Sequence, residues 1–205
     1  MSERTSDPIA VEVRSALGAG DEGTALSRAL EGYGPEILGF LVAMLRDADA
    51  ADDVFSLFCE DVWRGLASVR SDTSLRAWMY TLARHAAARH CRAGYERRRK
   101  PLSWAPLAEL EARVRTQTLK YLRTETRSAI DRLREQLEPD ERALLILRLD
   151  RKLAWNDIAA IMAAEDPPRS PDELRRDAAV LRKRFERVKD RLRELAAAAG
   201  LLDPQ

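Results

Sequence analysis

Cysteine and histidine are scarce in this chain, with two of each in 205 residues. Cys59 and Cys91 are too few for a disulfide framework. A zinc site built from Cys59, His85, His90 and Cys91 is disfavoured, because the histidines are five apart and no CxxC or HxxxH spacing occurs. We therefore expect neither metal nor cofactor. There is no glycine-rich phosphate loop and no set of carboxylates around a cationic pocket, so an all-α enzyme is disfavoured as well. No apolar run approaches the ~20 residues that span a bilayer. No charged-then-apolar leader opens the chain at Met1, and the expectation is a protein of the reducing cytoplasm with no membrane partner.

The formal net charge of +1 hides strong segregation. Residues 1–69 carry 5 basic and 13 acidic side chains, residues 70–100 carry 9 and 2, and residues 175–193 carry 9 and 3. An acidic head with two separated basic stripes implies more than one partner surface. Two cationic helices suit two footprints on one nucleic acid, because each neutralised phosphate releases condensed counterions.

Strand signals are nearly absent, while apolar residues recur at helical spacing from end to end, which predicts an all-α fold. Asp7-Pro8 starts a short helix through Leu17, ended by Gly18 and Gly20. Asp21 opens the next, and Gly34-Pro35 reads as the start of another, carrying Ile37, Leu38, Leu41, Val42 and Leu45. Residues 47–52 read as a polar turn before a helix over 52–66. That helix has apolar residues around more than one stripe (Val54, Phe55, Leu57, Phe58, Cys59, Val62, Trp63), so it lies deep or touches a partner. After a break at 71–74, Leu75, Met79, Leu82 and Ala86 predict an inner face, and Thr81, Arg84, His85, Ala88 and Arg92 a cationic outer one. Trp78 and Tyr80 lie beside these faces, where aromatic rings can support bases that have left the stack.

The prolines of KPLSWAP, from Lys100 to Pro106, mark a domain boundary. Beyond it Leu119, Leu122, Ile130, Leu133 and Leu137 run in register, and Pro139 starts a helix through Leu149. A short helix near Trp155 turns Ile158, Ala159, Ile161 and Met162 inward, with Ala159 small enough for a close crossing by a second helix. Ser170, Pro171, Asp172 and Glu173 cap the last helix. Its seam is Leu174, Ala178, Leu181, Phe185, Val188, Leu192 and Leu195. Arg182, Lys183, Arg184 and Arg187 fall largely off the seam, where guanidinium groups pair with phosphates or the O6/N7 edge of guanine.

In this order the parts resemble bacterial sigma factors of the extracytoplasmic-function group of the sigma-70 family, which contain regions 2 and 4. YGPEILGFLVAMLRDADAADDVFSLFCEDVWRGL and SLRAWMYTLARHAAARHCR are similar to region 2, and LREQLEPDERALLILRLDRKLAWNDIAAIMA with LRKRFERVKDRLREL to region 4. The resemblance implies an extension over 1–20, a region 2 domain over 21–99, a linker over 100–118, a helix-turn-helix domain over 119–199 and a tail over 200–205. It implies core RNA polymerase (its β′ clamp helices and β flap) and promoter DNA as partners, with an anti-sigma protein as a further one.

Carried over position by position, the resemblance implies polymerase docking through Asp52, Asp53, Phe55, Cys59, Glu60, Asp61 and Trp63. It implies capture of the −10 single strand by Trp78, Tyr80, Arg84, His85, Arg89 and Arg92, and duplex −35 contacts by Arg182, Lys183, Arg184 and Arg187. Two departures stand out. Ala154 sits where a capping serine is common, and roughly a dozen residues, about 164–175, enlarge the turn of the helix-turn-helix. The competing reading is a helix-turn-helix regulator acting without polymerase. It leaves the acidic helix and the Arg84-to-Lys100 cluster without a role.

Overall fold

The computed structural model describes residues 7–69, 74–93, 105–124, 129–163 and 169–201. It is all-α, with no strand among the described residues, and it divides into two compact units, Met1–Leu122 and Arg123–Gln205.

The first unit holds α1 (Pro8–Gly18), α2 (Glu22–Leu45), α3 (Ala48–Gly65), a 3₁₀ turn (Leu66–Ser68) and α4 (Leu75–Ala93). It also holds most of α5 (Ala105–Thr124). Asp7 caps α1 by accepting from the Ile9 amide at 3.1 Å, and its other oxygen accepts from the Tyr33 hydroxyl of α2. One carboxylate thus both starts a helix and fastens it to the next.

Gly34-Pro35 starts no new helix. The turn-rich pair is overridden because Leu26, Leu30, Tyr33, Ile37, Leu38 and Leu41 make one continuous buried stripe, and α2 runs through Pro35. Gly34 instead supplies closeness: a Cβ there would meet the Val114 side chain of α5 at 2.9 Å. Gly32 does the same for Ile9 of α1, at 2.7 Å.

The corner between α2 and α3 is tighter than a six-residue polar turn. Arg46 takes the left-handed conformation, φ 61°, and donates its amide to the Val42 carbonyl. Asp47 then caps α3 by accepting from the Asp49 and Ala50 amides at 3.0 Å, so the helix begins at Ala48 rather than near Asp52. The core of this unit is Phe40, Phe55, Phe58, Met79 and Tyr80, packed among the aliphatic side chains of α2, α3 and α4.

Residues 100–104 lie outside the described residues. From Ala105 the segment read as a linker is helix, and its Leu107, Leu110 and Val114 are buried in the first unit.

The second unit holds α6 (Ala129–Arg134), α7 (Pro139–Leu145), a π-helical turn (Ile146–Asp150), α8 (Trp155–Ala163) and α9 (Pro171–Ala198). Pro139 at the first turn and a capping box between Glu138 and Glu141 start α7. The widened turn lets Leu144, Leu145, Ile146 and Leu147 all be buried, where a regular helix would turn one of them outward. Lys152, at φ 54°, then reverses the chain into α8. Arg142 is buried too, and donates to the carbonyls of Arg134 and Leu137, at 3.2 and 2.8 Å.

α8 packs on α9 through Ile158, Ala159 and Ile161 against Ala178, Leu181, Phe185 and Val188. Met162 is half-buried, and Leu174, Leu192 and Leu195 mark the half-buried ends of the seam. Ser170 accepts from the Glu173 amide, and Glu173 accepts in return from the Ser170 amide at 2.8 Å. Of the enlarged turn, residues 164–168 lie outside the described residues, and the side chains of Leu119, Leu122 and Ile130 do as well.

Candidate nucleic-acid interface

Helix α4 separates its residues cleanly. Leu75, Ala77, Met79, Tyr80, Ala83, Ala86 and Ala87 are buried against the rest of the unit. Trp78, Thr81, His85, Arg89 and Arg92 follow at steps of three and four on the opposite face. Arg89 and Arg92 are exposed there, while Trp78, Arg84 and His85 are half-buried. The Trp78 ring closes over the end of α3, where a Cβ on Gly65 would come within 3.0 Å of it. One edge of the indole is packed and held, which is the condition for a rigid platform.

Tyr80 does not join that platform. It is 0% exposed and meets Phe40 edge-on, with ring centroids 5.2 Å apart. Two residues beyond Trp78, the helical turn carries it to the core side. Residues 94–100, the basic end of the first stripe, lie outside the described residues.

On α3 the expected docking set splits in the same way. Asp52, Asp53 and Trp63 are exposed, and Asp61 is half-buried. Phe55 and Cys59 are 0% exposed, because they lie on the flank that carries Ala51, Val54, Phe58 and Val62 into the core. They shape the helix rather than present it. Burial pushes the Cys59 thiol above the ordinary range, so it is a packing residue and not a reactive one. Glu60 is also buried and pairs with Arg64 at 3.0 Å. Asp61 pairs with Arg89 of α4, and Asp52 pairs with Arg115 of α5 at 2.8 Å.

Helix α9 carries its cations differently. Arg175 pairs with Asp172, Lys189 with Glu186, Arg191 with Glu141 and Arg193 with Asp190. Between those pairs, no described carboxylate lies within ion-pair distance of Arg182, Lys183, Arg184 or Arg187. Lys183 and Arg187 are four apart and exposed on the outer side. Arg182 leans the other way, its guanidinium 5.7 Å from the centre of the Trp155 ring.

Sequence reasoning missed the partners of that ring. Arg148 stands 5.0 Å from the Trp155 centroid and Phe185 meets it edge-on at 5.5 Å. Contacts of this kind join the π-helical turn, α8 and α9, and no local spacing announces them. Ala154 offers no side-chain cap to α8, and its carbonyl accepts the first turn's bond from Ile158 at 2.9 Å.

Comparison with known proteins bears directly on this arrangement of helices. The family profile described as sigma-70 region 2 matches residues 29–99, from within α2 through α4. RNA polymerase sigma-H factor of Pseudomonas aeruginosa is 30% identical over 138 residues, covering 63% of this chain and 70% of that protein. The chain belongs to the sigma-70 family. RNA polymerase sigma factor YlaC of Bacillus subtilis is 28% identical over 136 residues, covering 63% of this chain and 75% of that one.

The protein is an alternative sigma factor of the extracytoplasmic-function kind, directing transcription initiation. Sigma factors are initiation factors, and this membership makes core RNA polymerase and promoter DNA the partners of the chain. No helix among the described residues is long and apolar enough to cross a membrane.

Proposed function

We propose that this sigma factor divides its work among three helices. The exposed carboxylates of α3 with Trp63 dock on the β′ clamp helices. The outer face of α4 captures unpaired −10 bases, and α9 reads the −35 duplex. In this reading residues 21–99 act as region 2 and residues 119–199 as region 4, and the factor works in the cytoplasm.

The observation that carries the reading is the run of α9 cations without a carboxylate partner among the described residues, flanked on both sides by cations that have one. A solvated charged helix gains from pairing its charges along its length. Leaving the middle open keeps those guanidinium and ammonium groups for phosphates and base edges. The same reading gives Trp78, Arg84, His85, Arg89 and Arg92 to the single strand. Tyr80 is left out of that set because it is buried.

The test is reconstitution with core polymerase on a promoter library. A Lys183→Ala, Arg187→Ala double variant should lose transcripts while its helical circular dichroism stays intact; an unchanged transcript set sinks the α9 reading. Trp78→Ala should spare duplex binding and reduce permanganate reactivity in the melted region, and normal reactivity there removes α4 from strand capture.

A further inference from the structure

Helix α5 lies on the helix assigned to polymerase docking. Along α3, Asp52, Ser56 and Trp63 recur at steps of four and seven and so form one stripe, beside the buried Cys59. The upper part of that stripe is occupied. Arg115 of α5 reaches the Asp52 carboxylate at 2.8 Å and donates to the Ser56 hydroxyl at 2.7 Å. Ser56 in turn donates to Glu111 at 3.3 Å. Beside these polar contacts Leu107, Leu110 and Val114 are buried, and Arg113 pairs with Glu31 of α2 at 2.7 Å. The lower end of the stripe is open at Trp63, which is 39% exposed.

We infer that α5 is a strap that covers the docking stripe of the free factor and is displaced when core polymerase takes Asp52 and Ser56. The inference rests on the reading of α3 as the docking helix. The seat is specific: Gly34 of α2 has no Cβ, and one added there would meet Val114 at 2.9 and 3.2 Å.

The seat is also built to be left. Burial raises the Glu111 carboxyl above its ordinary range, a cost that its neighbours Arg115 and Ser56 only partly offset. Arg115 has a ready substitute in water, because the Asp52 side chain is half in solvent already. A polymerase surface that contacts Asp52 and Ser56 binds the open state alone. Its apparent affinity is then reduced by the fraction of molecules in which α5 is seated.

Two variants of the full chain loosen the strap by different routes. Gly34→Ala wedges Val114 outward while improving the helix propensity of α2, and Arg115→Ala removes the polar latch at the surface. Each should tighten binding to core polymerase, read by fluorescence anisotropy, by about tenfold if α5 is open in about one free molecule in ten. Hydrogen exchange should show the amides of residues 107–116 losing protection when wild-type factor binds core polymerase.

Unchanged or weaker affinity in both variants, at an unchanged melting temperature, overturns the strap. So does retained protection of residues 107–116 in the complex. Asp53→Ala and Trp63→Ala, which leave the Arg115, Glu111 and Ser56 contacts in place, separate the two failures. If they lose polymerase binding while the strap variants gain nothing, the docking helix stands and the strap falls. If they too bind as wild type does, the docking assignment falls and takes the strap with it.

Discussion

Helices α4 and α9 are both arginine-rich and amphipathic, yet they hold their cations in opposite ways. On α4 the outer face mixes a partly packed Trp78, a half-buried His85 and an Arg89 tied to Asp61 of the neighbouring helix. On α9 the cations at 182–187 have no described carboxylate partner, and Lys183 and Arg187 project from the outer side. A surface meant for a duplex needs mobile charge at the periodic phosphates, and each such contact adds to the salt dependence of binding. A surface meant for unstacked bases needs flat apolar walls held in place, with charge in a secondary role. The two stripes look alike in composition and differ in how tightly the rest of the fold grips them.

The largest expected effect tests the packed side of α4. Tyr80→Ala should cost the first unit about 3–5 kcal/mol in denaturant unfolding, the usual range for truncating a buried aromatic. A base-stacking tyrosine would instead leave stability alone. On α9, Arg187→Ala should lose about 1–3 kcal/mol at one base pair if it reads a guanine. If Arg187 meets a phosphate, all promoters weaken alike and the salt slope falls by about 1. Duplex titrations over several sequences and salt concentrations separate these outcomes.

Next in size is the anchor of α9. Ser170→Ala should cost about 1 kcal/mol in thermal unfolding of the second unit by removing the helix cap. The same capping box sets a pH dependence. The Ser170 hydroxyl and amide hold the Glu173 carboxyl below its ordinary value, so its contribution is present above the unfolded-state pKa and is lost as pH falls through the lowered folded one. Melting curves taken downward from neutral pH should show that loss set in as pH falls through the normal glutamate range and reach completion only below the lowered folded value. A glutamate titrating normally would show none.

The smallest effect links the two sides of the comparison. Asp61→Ala removes the acid that holds Arg89 and should raise single-stranded DNA affinity by about two- to fivefold, within the 0.2–1 kcal/mol of an exposed ion pair. No change would mean that Arg89 is equally available with or without its partner.

Much of this was readable along the chain. Cap chemistry at Asp7, Asp21 and Ser170 marked three helix starts, because a side-chain oxygen accepting from a first-turn amide is a contact between near neighbours. The α9 seam was legible for the same local reason. Gly34-Pro35 misled, since the penalty of an internal proline is local while the buried stripe that outweighs it belongs to the whole of α2. Phe55, Cys59 and Tyr80 misled in a related way: apolar residues that surround a helix tell that it is enclosed, and not which of them a partner touches.

Sequence alone therefore determined the all-α class, most helix starts and the two cationic stripes, because period and capping act over a single turn of chain. Tertiary structure decided which aromatic faces outward, which arginine has an acid beside it, and that α5 lies across α3. Each of those depends on side chains from helices far apart in sequence meeting within a few ångströms, and the spacing of residues within any one helix carries no information about its neighbour.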